Sequence, residues 1–373
     1  MSYSSGTDSS LFSALKTASV INSQHIAIDG DSASVTYGEL FEKVDRLATA
    51  LKSYQVRSVA LLADNSADWI AIDLACLSLN ICCIPLPTFF SATQIRHTLT
   101  VAGVDAIVCA DAQALPDIPD VILNPWVLPD SSLSIVQLLY DAPPPIYRQV
   151  RERLSKADIS KITFTSGSTG QPKGVCLTQA HMAAVTLALH DRLASLQLGN
   201  HISVLPYATL LENIAGIYLS LLRGAAIIVP DMTALGLTGS SQIASEAFLK
   251  ILGQYDFETA ILVPQQLKYL LDGINAGHTS PRRARFIAVG GGKIPMPWIQ
   301  QARSLSLPVY EGYGLSECGS VVSLNIPGEF RDGTAGRALP HVSVTTDNGE
   351  LRVHSVHQAR YLPDLVGSHA LVE

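Results

Sequence analysis

Ten consecutive residues, Thr165-Ser166-Gly167-Ser168-Thr169-Gly170-Gln171-Pro172-Lys173-Gly174, hold four hydroxyls, three glycines and a lysine. Such a stretch can surround an anion. Hydroxyls and glycine N–H groups donate to phosphate oxygens, glycine lets the backbone approach closely, and Lys173 adds positive charge. It is not the G-x-x-x-x-G-K-[ST] loop, because Pro172 stands at the second glycine position and Gly174 follows Lys173. A Gly/Ser linker uses similar residues. This stretch, however, follows an apolar strand-like run at 162–165 and precedes a helical pattern starting near Thr178, so a strand-to-helix loop is expected.

A second stretch, Tyr310-Glu311-Gly312-Tyr313-Gly314-Leu315-Ser316-Glu317, combines aromatic rings with a hydroxyl and a carboxylate at the end of an expected strand. Gly290-Gly291-Gly292 forms a turn directly after an expected strand at 285–289, and Leu205-Pro206-Tyr207-Ala208-Thr209-Leu210-Leu211-Glu212-Asn213 leads into an apolar helix. No acid–base or nucleophile constellation is evident. His354-x-x-His357 is the tightest histidine pair, but without a nearby Cys or acidic third ligand it reads as surface.

The elements that position these stretches alternate. Thr36-Tyr37-Gly38-Glu39 opens a helix as a capping box, with Leu40, Val44, Leu47 and Leu51 as its apolar stripe. Strand 58–63, helix 67–79, strand 82–86, a helix capped by Ser91 and Gln94, and strand 105–110 follow. Residues 111–147, rich in Pro and Asp, read as an irregular connection. Beyond the loop come helix 179–196, strand 201–205, helix 214–222, strand 225–229, helix 241–254, strand 259–263, helix 265–273, strand 285–289 and helix 297–304. This predicts an α/β fold: two stacked α/β subdomains with mostly parallel sheets, forming a core over 1–332. Residues 333–373 read as a small β-subdomain around the turn Asp347-Asn348-Gly349.

The chain has 373 residues, 47% of them hydrophobic and 15% charged, which describes a well-buried globular protein. A net charge of −7 argues against general nucleic-acid binding, though a local loop can still hold a small anion. No apolar run reaches the uninterrupted length of a membrane span, since Asp73, Asn80, Glu212 and Arg223 break the most apolar stretches. Six cysteines without a C-x-x-C pair read as buried free thiols in a reducing cytoplasm.

Residues 165–174 resemble the T-S-G-S/T-T-G-x-P-K-G signature of the ANL superfamily of adenylate-forming enzymes at all ten positions. Tyr313 to Glu317 resembles its Y-G-x-T-E element with Ser316 in place of Thr. Gly290 to Gly292 resembles its G-G-x turn, and Gly333-Thr334-Ala335-Gly336-Arg337 its G-x-x-G-R element. The resemblance implies ATP and Mg²⁺ as cofactors. Thr165, Ser166, Gly167, Ser168, Thr169, Gly170 and Lys173 would grip the phosphates, Gly291, Gly292, Tyr313 and Gly314 would lie along the adenine, Ser316 would contact the α-phosphate and Glu317 would bind Mg²⁺. Thr165, Lys173 and Glu317 would serve catalysis. The reaction the resemblance implies is attack of a carboxylate on the α-phosphorus of ATP, giving an acyl-adenylate and pyrophosphate; a carboxylate is already ionised at neutral pH, so no general base would be needed.

Residues 205–213 resemble the L-P-L-x-H-x-x-E segment of acyl-CoA synthetases, with Thr209 where relatives often carry His. Tyr207, Thr209, Leu211 and Gly290 are then expected at the acyl pocket. Leu211 stands where amino-acid-activating relatives place an Asp, which favours a fatty or aryl acid. The thiol acceptor would be CoA or the phosphopantetheine of an acyl carrier protein. Arg360-Tyr361-Leu362-Pro363-Asp364 resembles the segment before the family's T-G-D element, and neither that element nor a lysine-bearing C-terminal domain follows. The expectation is a large domain impaired in adenylation on its own; the alternative is a natural non-catalytic adenylate-binding or scaffold module.

Overall fold

A computed structural model describes residues 10–30, 33–118, 121–140, 145–165, 172–235, 244–278, 280–357 and 359–362. Two large sheets dominate. Strands Ser58–Leu62, Cys82–Pro85, Ala106–Cys109 and Ile159–Thr165 form the parallel centre of one, and antiparallel strands extend it at both ends. In the other, Ile26–Gly30, His201–Ile202, Ile227–Val229, Thr259–Leu262, Phe286–Val289 and Val309–Leu315 run parallel.

Alternate residues along one strand point to opposite faces, and here they enter different cores. Val59 and Leu61 join the central core while Ala60 joins the outer one. Ile227 and Val229 face the centre while Ile228 faces the other outer core. The helices Leu11–Ile21, Tyr37–Ser53, Ala67–Leu79 and Gln179–Arg192 contribute to the central core. Ala92–Ala102 and Pro145–Lys156 cover one outer face, and Ser245–Gln254, Pro264–Asn275 and Met296–Ser304 the other. Sheets buried on both faces explain why their strands read as continuous apolar runs.

The α/β class and the capping boxes at Thr36 and Ser91 are as expected. Four local readings need correction. Residues 111–147 are not irregular throughout, because Val121–Trp126 and Ser134–Tyr140 pair as an antiparallel extension of the sheet. The phosphate-loop stretch does not join a strand to a helix. Lys173–Thr178 is itself a strand, pairing antiparallel with Ile159–Thr165 in the register Thr165↔Lys173. Its alternating Val175, Cys176 and Leu177 are buried on both faces, and the helix begins only at Gln179. Helix 214–222 begins as a π-helix, Glu212–Tyr218, before the α-helix Leu219–Arg223. Helix 241–254 is seen as Ser245–Gln254, residues 241–243 lying outside the described residues. Val342–Asp347 and Glu350–Ser355 pair only with each other, across a turn with positive φ at Asn348 and Gly349, whereas Arg360–Tyr361 joins the edge of the first sheet beside Lys173–Thr178.

Candidate active site

The three parallel strands around Thr259–Leu262 share one register: His201 pairs with Thr259, and Thr259 with Phe286. At their C-terminal ends the chain turns through Gly290 and Gly291. Gly290 N–H donates to Leu262 O, and Gly291 has φ +81°, a conformation that glycine adopts without a Cβ penalty. A cavity of about 270 Å³ runs along this face. Thr209, Leu211, Gly290, Gly291, Tyr313, Gly314 and Ser316 all line it. The structure therefore brings most of the expected adenine and acyl contacts onto one wall.

Gly314 is required by contact rather than by φ. A Cβ there would sit 1.6 Å from Ser320 O, because a bulge between Tyr313 and Gly314 draws the strand onto Ser320–Leu324. Ser316–Cys318 then forms a 3₁₀ turn packed against the strand Lys173–Thr178. Tyr361, held opposite Val175 at the sheet edge, donates its hydroxyl to the Glu317 carboxylate.

Thr165 ends its strand half-buried opposite Lys173, whose exposed side chain forms no ion pair with another described residue. Ser166, Gly167, Ser168, Thr169 and Gly170 lie outside the described residues. Gly292 follows the turn but does not line the cavity. Tyr207 does not line it either. It is buried against Trp69, with ring centroids 5.3 Å apart, and its N–H donates to Asn65 Oδ1 at 2.7 Å. Leu205 lines the cavity, whereas Tyr207, two residues on in an irregular segment, packs into the core.

Among the described residues, no group of three His, Cys, Asp or Glu side chains could hold a metal ion. Glu317 as a single hard carboxylate fits Mg²⁺, which takes one or two protein carboxylates and completes its shell with phosphate oxygens and water. All six cysteines are buried, and none forms a disulfide. His357 approaches His181, with ring centroids 6.1 Å apart. Burial, followed by repulsion from His357 and His341, pushes the His181 imidazole down to about 4.

Two buried polar groups escaped the sequence reading. Lys161 interrupts an apolar strand and Asp73 an apolar helix, and the two meet. Opposite charges placed singly inside two apolar runs are the signal that could have found them, since buried charges are paired. His201 and Glu212 form the other group: His201 Nε2 lies 2.9 Å from Glu212 Oε1, and Nδ1 lies 3.0 Å from Thr259 Oγ1. Nothing in the local sequence around His201 marks it.

A family model described as AMP-binding enzyme matches residues 16–363. Curated relatives include the 2-succinylbenzoate–CoA ligase of Staphylococcus aureus (strain MSSA476), 26% identical over 375 residues, spanning 93% of this chain and 73% of the relative. Among solved structures, o-succinylbenzoate CoA synthetase (MenE) from Bacillus subtilis, in complex with the acyl-adenylate intermediate OSB-AMP, matches with a TM-score of 0.72 at 20% identity, over 96% of this chain and 72% of that one. The N-terminal domain of FACL13 from Mycobacterium tuberculosis matches with a TM-score of 0.72 at 18% identity, over 95% of this chain and 91% of that one. These structures share the fold. With the family model spanning nearly the whole described chain, this protein belongs to the AMP-binding enzymes of the adenylate-forming ANL superfamily.

Proposed function

We propose that the chain binds ATP and a carboxylic acid and catalyses attack of the carboxylate on the α-phosphorus, forming an acyl-adenylate and releasing pyrophosphate. The observation that carries this reading is the shared wall on which Tyr313 and Ser316 meet Gly290, Gly291 and an apolar cavity. Adenine would lie against Tyr313 and the glycine turn, and the α-phosphate beside Ser316. Lys173 and the loop after Thr165 would hold the departing pyrophosphate. Bound Mg²⁺ would neutralise phosphate charge beside Glu317. The protein's own work is orientation and charge stabilisation, because the attacking carboxylate needs no base.

The acid is a fatty or aryl acid rather than an amino acid. Leu211 lines the cavity, and among the described residues no aspartate or glutamate does, so an α-ammonium would be buried without a counter-ion. The adenylate would pass its acyl group to a thiol, of CoA or of a carrier-protein phosphopantetheine, in a cytoplasmic setting that keeps the buried thiols reduced. The likeness to 2-succinylbenzoate–CoA ligases supports an aryl acid and CoA. The test is calorimetric titration of ATP with and without Mg²⁺, followed by pyrophosphate release over a panel of fatty and aryl acids. Mg²⁺-dependent ATP binding that weakens about tenfold in Lys173→Ala is expected, on the scale of one charge-assisted contact. Absence of ATP binding would overturn the reading. ATP binding without acid-dependent pyrophosphate release would overturn catalysis by this chain, and fits both a large domain impaired on its own and a non-catalytic adenylate-binding module.

A further inference from the structure

The end of the cavity remote from the nucleotide is not purely apolar. Thr259 and His201 line it there, at the N-terminal ends of the strands whose C-terminal ends carry Val263 and Gly290. Four residues of extended chain separate Thr259 from Val263, so about 13 Å separates this spot from the glycine turn. Behind the wall, Glu212 is fully buried. One carboxylate oxygen meets His201 Nε2 at 2.9 Å, and the other has no hydrogen-bond partner among the described residues. His201 uses its second ring nitrogen on Thr259 Oγ1 at 3.0 Å. Room for the pair comes from Gly216 on the π-helix. A Cβ there would lie 2.6 Å from Glu212 Oε1 and 2.9 Å from His201 Nε2.

A buried carboxylate–imidazole pair costs more in desolvation than an apolar pair of the same volume, so it is weak as a stabilising device. The chain of contacts ends on a hydroxyl with one donor and two acceptor positions, and the bond to His201 leaves it capacity to spare. We infer that Glu212, His201 and Thr259 form a polar station at the far end of the acyl site, which selects an acid carrying a hydroxyl or ketone oxygen remote from the reacting carboxylate. Thr259 makes the contact. His201 and Glu212 are positioning residues that orient its hydroxyl and adapt it to donate or accept.

The inference rests on the cavity being the acyl site, so its test reads acid binding directly and does not depend on turnover. Matched acids of equal length, unsubstituted or bearing a hydroxyl or ketone at the far end, are titrated calorimetrically into the 373-residue chain. The oxygenated acid is expected to bind about tenfold more tightly, the scale of one added hydrogen bond. Thr259→Val should bring the ratio of the two affinities to about one. The double variant His201→Phe with Glu212→Leu, which leaves no charge buried alone, should also lower the ratio. An unsubstituted acid that binds as well as or better than its oxygenated match, or binding of neither, would overturn the inference. So would a preference unchanged in Thr259→Val. Failure of ATP binding with the acid preference intact would sink the adenylation reading alone.

Discussion

Lys161 Nζ lies 2.7 Å from Asp73 Oδ1, and each side chain is only 1% exposed. The other two ammonium contacts go to Asn213 Oδ1 at 2.6 Å and the Tyr218 hydroxyl at 2.8 Å. Asp73 Oδ2 in turn accepts from Asn213 Nδ2 at 3.1 Å and Tyr218 at 2.6 Å. Every donor of the ammonium is therefore used. The cluster fastens the strand leading into the phosphate loop to the π-helix of the cavity, through the central helix between them. Removing one charge leaves the other buried and alone. Lys161→Met should lose about 3–5 kcal/mol of stability in urea unfolding. Replacing both, Lys161→Met with Asp73→Leu, should recover most of it. A single variant as stable as the parent would contradict the account.

Gly314→Ala places a methyl group where Ser320 O already sits. The strand must part from its neighbour or the bulge must move, and Tyr313 and Ser316 move with it. Lower thermal stability together with loss of ATP binding is expected. An alanine variant with unchanged melting and nucleotide affinity would show that the bulge does not position the site.

Tyr361 donates to Glu317 from the edge strand next to the phosphate-loop hairpin. A hydrogen-bonded carboxylate is held in one orientation, and loss of such an outer partner typically costs about tenfold or more in metal affinity. In Tyr361→Phe, the Mg²⁺ concentration that half-saturates ATP binding should rise by about that factor. An unchanged Mg²⁺ titration would separate Tyr361 from metal binding.

The His181 imidazole, pushed down to about 4 from 6.5 chiefly by burial, takes up its proton more readily in the unfolded chain. Its contribution to stability is fully present above pH 6.5 and is lost as the pH falls towards 4, about 3 kcal/mol in all. Chemical denaturation across this window should show the loss in the parent and a shallower one in His181→Leu. Parallel pH profiles would contradict the assignment.

How far the sequence discloses this protein depends on the range of the interaction. Capping boxes at Thr36 and Ser91 are local hydrogen-bond patterns, and both are found where expected. Parallel strands buried on both faces are legible as apolar runs, so the α/β class is too. The strand Lys173–Thr178 was hidden because its first residues also belong to the phosphate-loop signature. Val121–Trp126 was hidden by Pro125, which an edge strand tolerates. Among the site residues, Tyr313 and Ser316 follow from motif order, whereas His201 reaches Thr259 only through pairing of strands far apart in sequence. Tyr207, expected at the acyl site, does not line the cavity and packs on Trp69, a contact made by a helix far away in sequence.

The central claim is that one wall joins an adenylate site to an acyl site. A non-hydrolysable acyl-adenylate analogue tests it most directly, by titration against AMP and against the free acid. The account predicts that the analogue binds more tightly than either fragment, and that Gly314→Ala abolishes its binding. An analogue that binds no better than AMP would mean that the cavity beside Tyr313 does not hold the acyl group, and would contradict the account.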